Sequence, residues 1–290
     1  MEYHSYSFED FSLMVFKDEK LVAIMPANIF NNQLHSHQGL TYGGLVFNEK
    51  LKFKSVLLVF QSVLKFLNSK HVKVLHLKCM PSIYSRIPNE ELLYLSFLLE
   101  AKLVRRDALS VVNLSNSVSY SKDRVEGSKR GKKNNLTIKE VEGFTEFWDK
   151  ILIPNLADKH EADPVHSLEE ITILKKKFPK NIRQFNVYKN EEIVAGTTIF
   201  ETKNVAHSQY ISGNKDKNTL GSLDFLHIHL LNTVFKNKTH FDFGISNENK
   251  GQNVNEGLQY WKEGFGARTI IQDFYTFETI KFSKLNTVML

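Results

Sequence analysis

Side chains able to do chemistry crowd between residues 239 and 268, THFDFGISNENKGQNVNEGLQYWKEGFGAR. Asp242 stands between Phe241 and Phe243, so on a strand its carboxylate points away from the face the two rings occupy. A carboxylate at the end of a central strand can accept a proton from an amine, or hold that amine in place. It can equally serve as a structural acceptor for backbone N–H groups. Asn247, Asn249, Asn253 and Asn255 follow in a polar turn. Their amides can bind a ligand or make Asx turns, and Asn255 is positioned to cap the next helix. That helix, about 255–265, buries Leu258 and Phe265 and carries Trp261 and Lys262 as candidate ligand contacts. Further back, Tyr210, Ser212 and Asn214 fall on alternate positions of one strand and share a face. A tyrosine there can protonate a leaving group or donate to a tetrahedral oxyanion, or it can be an aromatic core residue.

The histidines supply less. His35 and His37 share a strand face, but no third ligand at suitable spacing accompanies them, so no metal is expected. With Tyr42, Gly43 and Gly44 close by, His37 and Tyr42 read instead as part of a substrate-binding loop, where glycines admit a ligand to the backbone. His227 and His229 point in different directions on a helix. The letters DFG lack the glycine-rich loop and HRD segment of a protein kinase, which excludes that chemistry.

A strand leading into a polar turn and a helix is a usual ligand site of α/β folds, and the rest of the chain supplies the supports. A hairpin is expected within SLMVFKDEKLVAIMPANIF, a strand in LTYGGLVF, a helix over 54–68, a strand in HVKVLHLKCM, a helix over 89–101 capped by Asn89, and a strand in LSVVNLS. The second half repeats this order. Val15, Lys17, Glu19, Val22 and Ala23 recur at constant offset as Val187, Lys189, Glu191, Val194 and Ala195. Helices over 143–156 and 167–178 precede the second copy. The repeat sets a first domain at 1–120, a linker at 121–140 and a second domain at 141–290. Lys122, Arg124, Lys129, Arg130, Lys132 and Lys133 crowd in the linker, which reads as a solvated connector or exposed helix, or as a basic surface beside a phosphate-bearing ligand.

Composition bounds the function class. The 290 residues carry a formal charge of +6 and a pI near 9.1, which favours anionic partners such as phosphorylated cofactors, nucleotide sugars or tRNA. No apolar run is long enough to span a bilayer, so stable membrane insertion is not expected. Cys79 is the single cysteine, and the first residues lack a secretory pattern; both fit a cytoplasmic location.

Two such copies, each a mixed and mostly antiparallel sheet flanked by helices, resemble tandem GNAT acyltransferases of the FemAB type, the peptidoglycan-bridge aminoacyl transferases. The residues carrying the resemblance are FDFG at 241–244, the N-x-x-L-x-x-W-K-x-x-F-G helix at Asn255, Leu258, Trp261, Lys262, Phe265 and Gly266, and YGG at 42–44. The resemblance implies transfer of an acyl or aminoacyl group to an amine on an anionic small molecule, such as a nucleotide amino sugar or a bacterial cell-wall precursor. Lys262 matches the lysine that contacts the anionic acceptor. The pyrophosphate loop Q/R-x-x-G-x-G/A is missing: SGNKDKNTLGSLD stands there, with Gly213 and Gly221 too far apart. The donor therefore stays open between acyl-CoA and aminoacyl-tRNA, and a non-catalytic binding protein is the alternative.

Overall fold

In the computed structural model the described residues are 6–160 and 163–289; the first five residues of the N-terminal lead lie outside them. Contacts divide the chain into a first unit, Met1–Asp107 with Ile271–Leu290, and a second, Ala108–Ile270.

The first unit opens with β1 (Glu9–Asp10), β2 (Leu13–Lys17), β3 (Lys20–Met25), β4 (Asn28–Phe30), β5 (Gln33–His35) and β6 (Val46–Phe47). Helix α1 (Phe53–Ser69), β7 (Val74–Lys78), α2 (Glu91–Leu98) and the start of β8 (Lys102–Asn113) follow. The chain then leaves for the second unit within β8. Its strands are ordered β1-β4-β5-β7 with the returning C-terminal strand beside β7, and β2-β3-β6 form a separate antiparallel sheet. The apolar stripe of α1, Val56, Leu57, Phe60, Val63, Leu64 and Leu67, is buried, and from Leu57 on it shares one core with Ala23, Met25, Leu75 and Leu77. Burial of such side chains is worth roughly 1.5–3 kcal/mol each.

The second unit contains α3 (Lys122–Lys133), β9 (Thr137–Val141), α4 (Thr145–Phe147), a π-helical turn (Trp148–Leu152), α5 (Ile153–His160) and α6 (Leu168–Lys177). Next come β10 (Ile182–Lys189), β11 (Glu192–Glu201), β12 (Val205–Gly213), α7 (Lys217–Leu220) and α8 (Ser222–His229), which runs on through another π turn (Leu230–Val234). The unit closes with β13 (His240–Ile245), β14 (Asn247–Glu248), β15 (Asn253–Val254), α9 (Glu256–Glu263) and the start of β16 (Arg268–Glu278). Its sheet is ordered β8-β13-β12-β11-β10-β9, with β12 and β13 parallel and the other neighbours antiparallel. This is the two-copy, mostly antiparallel α/β architecture read from the repeat.

The two hairpins agree in detail. Met14 faces Ile24 as Asn186 faces Gly196, and a bulge follows Val15 as one follows Val187. Both turns pass through two left-handed residues, Asp18 and Glu19 in one, Asn190 and Glu191 in the other. That is the twist a two-residue hairpin requires.

Several local expectations change. Only Val46 and Phe47 of LTYGGLVF form a strand. Gly44 takes φ +93°, and a Cβ on Gly43 would lie 1.8 Å from the Ser36 carbonyl oxygen, so YGG is a close backbone crossing. Helix α2 is flanked by Glu90 without a side-chain cap, and Asn89 stays outside it. Most of the basic segment 121–140 is not a connector: α3 and β9 belong to the second unit. Its glycines explain this. A Cβ on Gly127 would lie 1.7 Å from Asp224 Oδ2, and one on Gly131 would lie 2.5 Å from Phe225 Cβ, so α3 packs its bare backbone onto α8.

Replacing Gly43 by alanine forces backbone against backbone, and a loss of roughly 1–3 kcal/mol is expected. Urea unfolding should show a lower midpoint with an unchanged slope; an unchanged midpoint would mean that the crossing is loose.

Candidate active site

Strands β12 and β13 pair only at Val205–His240, Ala206–Phe241 and His207–Asp242. Beyond that point the ladder stops, while β13 bulges against β8 between Asp242 and Ile245. Backbone groups freed where two parallel strands part need other partners.

Gly244 receives them. Its N–H donates to Asp242 Oδ1 at 2.7 Å, and its carbonyl accepts from Lys262 Nζ at 3.2 Å. The same ammonium donates to the Ile245 carbonyl at 2.7 Å. Gly244 has φ +70°, the left-handed region that favours glycine. A Cβ there would stand 3.4 Å from His207 Cε1. On the other side, Asp242 Oδ2 lies 3.0 Å from His207 Nδ1. His207, Asp242, Gly244 and Lys262 thus form one hydrogen-bonded run. All but Gly244 are buried, with Lys262 2% exposed.

The lysine reaches this place from α9. Asn255 caps that helix by accepting the Leu258 N–H at 3.0 Å, as its spacing predicts. Trp261 and Phe265 pack with Phe243 and His227 at ring-centroid distances of 4.9 to 5.8 Å. Trp261 Nε1 donates to Asp224 Oδ1 at 2.8 Å, and Arg124 Nη1 bonds the same oxygen at 2.8 Å. Burial raises the Asp224 carboxyl above its ordinary value, opposed by Arg124, Trp261 and Arg130. Arg124, Arg130, Lys217, Asp224, Ile211 and Trp261 line a cavity of about 460 Å³ at the first turn of α8. Gly221, at φ +69°, starts that helix with α3 pressed on it: a Cβ on Gly221 would be 2.0 Å from the Gly127 carbonyl oxygen.

The structure therefore brings Asp242, Lys262 and Trp261 to one end of the second unit. Both oxygens of Asp242 are engaged, so the carboxylate orients neighbours. Tyr210 and Ser212 face the other way, under the helix at 145–160. The Tyr210 hydroxyl takes the His166 N–H at 3.0 Å and lies 2.7 Å from His166 Nδ1, and its ring meets Trp148 edge-on. Ser212 Oγ approaches the Ile151 carbonyl at 3.5 Å. Asn214 accepts the Asp216 N–H in a turn that lines a different cavity, away from Trp261.

Asn247 and Asn253 lie in the β14–β15 hairpin. Asn247 Oδ1 accepts the Ala108 N–H at 2.6 Å, and Asn253 Oδ1 accepts from Asn249 at 2.7 Å. The turn is thus largely self-supporting. His37 and Tyr42 belong to the first unit. His37, left-handed at φ +60°, accepts the Gly39 N–H at Nδ1, and Tyr42 stacks on Tyr84 with centroids 4.3 Å apart. His35 ends β5 and stacks on His76, 4.4 Å away, while His37 lies beyond the strand. Among the described residues no cluster of three His, Cys, Asp or Glu is placed to hold a metal.

Sequence reasoning missed His207 and Asp224, and met Arg124 only as one cation of the basic segment. His207 was legible in part, because VAHSQY puts it at the start of the strand whose partner carries Asp242.

No family profile matches the sequence, and no curated protein matches it. Solved structures do. FemX shares the fold with a TM-score of 0.68 at 9% identity, over 94% of this chain and 89% of that one. The C-terminal domain of a putative lysylphosphatidylglycerol synthetase from Agrobacterium fabrum gives 0.62 at 12% identity, over 95% and 86%. A tandem GNAT protein from the clavulanic acid biosynthesis pathway gives 0.51 at 10% identity, over 92% and 82%. At these identities the likeness establishes the fold, a FemAB-like tandem GNAT architecture.

Burial pushes Lys262 down from its ordinary value of 10.5 to about 8, with Asp242 opposing the shift. Between those values the unfolded chain keeps a proton that the folded chain has released, so this residue's contribution to stability rises as pH climbs. The full span corresponds to about 3 kcal/mol. Denaturant titrations of wild type and Lys262→Met should diverge in the wild type's favour between pH 7.5 and 10.5. Parallel curves would mean that the amine is solvated.

Proposed function

We propose that this chain is an acyl or aminoacyl transferase whose second unit moves the group from a phosphate-bearing donor to an amine on an anionic small molecule, such as a nucleotide amino sugar or cell-wall precursor. The observation that carries the reading is Lys262, a buried ammonium held by two carbonyls where β12 and β13 part. An ammonium has three N–H donors; two are used, and one remains for a ligand.

In this reading the acceptor amine attacks the donor carbonyl carbon. The oxyanion that forms is met by the remaining N–H and the charge of Lys262, in a site where burial strengthens both. His207, with Nδ1 held by Asp242, takes the amine proton at Nε2 and returns it to the leaving oxygen or sulfur as the ester or thioester bond breaks. Trp261 fixes the helix that delivers the lysine. Asp242 acts through His207 and Gly244 and does not itself receive the proton.

The donor reading that a specific observation favours is aminoacyl-tRNA. Phosphate binding by a glycine-rich loop uses backbone N–H groups at a helix N-terminus. Here α3 packs on the first turn of α8, and the cavity offers cationic side chains instead, Arg124, Arg130 and Lys217. Acyl-CoA remains the other arm of the test.

With hydroxylamine as surrogate acceptor, transfer is measured from acetyl-CoA and from charged tRNA. His207→Ala should lower kcat by about 10²- to 10⁴-fold with donor binding retained, and transfer should fall as pH passes about 8, where Lys262 loses its charge. Binding of charged tRNA should weaken steeply between two salt concentrations, and less steeply in Arg130→Ala. Failure of both donors to bind would overturn the proposal, as would full transfer by the His207→Ala and Lys262→Ala proteins.

A further inference from the structure

The internal duplication also exposes an unfilled position. In the second copy one face of the β10-β11-β12 sheet carries Asn186, Tyr188, Ile193, Gly196 and Ser212, all buried. The helix at 145–160 covers that face. A Cβ on Gly196 would lie 2.6 Å from the Phe147 ring, Tyr188 Oη bonds Glu146 at 2.8 Å, and Ser212 Oγ reaches the Ile151 carbonyl. The covering turn presents Phe147, Trp148 and Ile151, that is, positions i, i+1 and i+4.

The pairing registers fix the equivalent residues in the first copy. Asn186 corresponds to Met14, Tyr188 to Phe16, Ile193 to Leu21, Gly196 to Ile24 and Ser212 to Val46. Among the described residues no helix covers this face: exposure runs from 38% at Ile24 to 67% at Met14. Where the covered copy uses polar or small residues at three of the five positions, the bare copy is apolar at every one. A contiguous apolar face of this kind marks an interaction site.

The same unit carries a helix with an exposed apolar side, where the Tyr94 ring meets Phe53 with centroids 5.7 Å apart. Helix α2 turns Leu95, with Leu92 and Leu98 beside it, into the core. Its outer side presents Leu93, Tyr94 and Phe97, and Phe97 is 76% exposed. A helix apolar all round is normally buried all round. These three residues again occupy positions i, i+1 and i+4 with an aromatic ring at i+1, the pattern that covers the equivalent sheet in the second copy.

We propose that the bare β2-β3-β6 face receives α2 of a second copy of this chain. Reciprocal use of the two surfaces gives a closed two-fold dimer, whereas one-way use would leave free surfaces and polymerise. The inference is independent of the transfer reaction, because none of these residues belongs to the site in the second unit.

Sedimentation velocity over a micromolar concentration series tests it. A monomer–dimer equilibrium is expected, and Phe16→Glu and Phe97→Glu should each weaken it by roughly 30-fold or more, the effect of truncating an interface hot spot. Both positions are exposed, so thermal unfolding of the dilute variants should match wild type. In a Cys79→Ser background, a Val46→Cys, Phe97→Cys double variant, the pair equivalent to Ser212 and Ile151, should form an intermolecular disulfide on mild oxidation. A monomer at every concentration would overturn the proposal. So would a dimer that survives both glutamate substitutions, or a face that binds only lipid vesicles.

Discussion

The arrangement in the second unit depends on how the two ends of one peptide are held. Where β12 and β13 stop pairing, Asp242 takes the Gly244 N–H and Lys262 takes the Gly244 carbonyl, and together they stand in for the missing ladder. Buried charges are costly unless hydrogen-bonded, and here each is satisfied by the other's neighbourhood. The arrangement needs a residue at φ +70°, which is why glycine follows the second phenylalanine of the FDFG run. The aromatic cluster of Phe243, Trp261, Phe265 and His227 then sets the pitch of α9 so that its lysine reaches inward. His227 sits in this cluster as a neutral ring: burial pushes it down to about 4, and its Nδ1 is tied to the Leu223 carbonyl.

The cationic cavity follows from a second packing choice. Helix α3 comes close to α8 because Gly127 and Gly131 present no side chains there, and the approach carries Arg124 and Arg130 to the cavity wall. Arg124 pairs with Asp224, which also fixes Trp261, so the wall and the lysine-bearing helix share one carboxylate. The same glycine contact presses on the helix turn at which a glycine-rich loop would ordinarily gather phosphate.

Much of the scaffold was legible in the residues. The hairpin repeat appears at constant offset because strand alternation, bulge and left-handed turn constrain the same positions twice. Asn255 as a cap and Asp242 turned away from its flanking phenylalanines follow from spacing alone. Other features depended on contacts that spacing does not encode. A run such as VEGSKRGKK looks like solvated linker because a glycine-faced helix packs without apolar side chains. Tyr210 and Ser212 do share a face, but period-two alternation leaves open what each face meets: theirs lies under the helix at 145–160, and Ile211 lines the cavity beside Arg124 and Trp261. The asparagines of the turn spend their carbonyls on their own hairpin and on the Ala108 backbone, a use no composition reveals.

The second unit is an unbroken stretch of chain, whereas the first is assembled from both ends of it. Phe274–Glu278 pair along β7, and Gln61 donates to the Phe282 carbonyl and to Asn286 from the face of α1. During synthesis the inner segment, 108–270, is therefore made before the strand at 274–278, and the flank of β7 stays open until that strand has emerged. A nascent chain of this kind matures from the middle outward, and a truncation within 271–290 would remove part of the half that was made first.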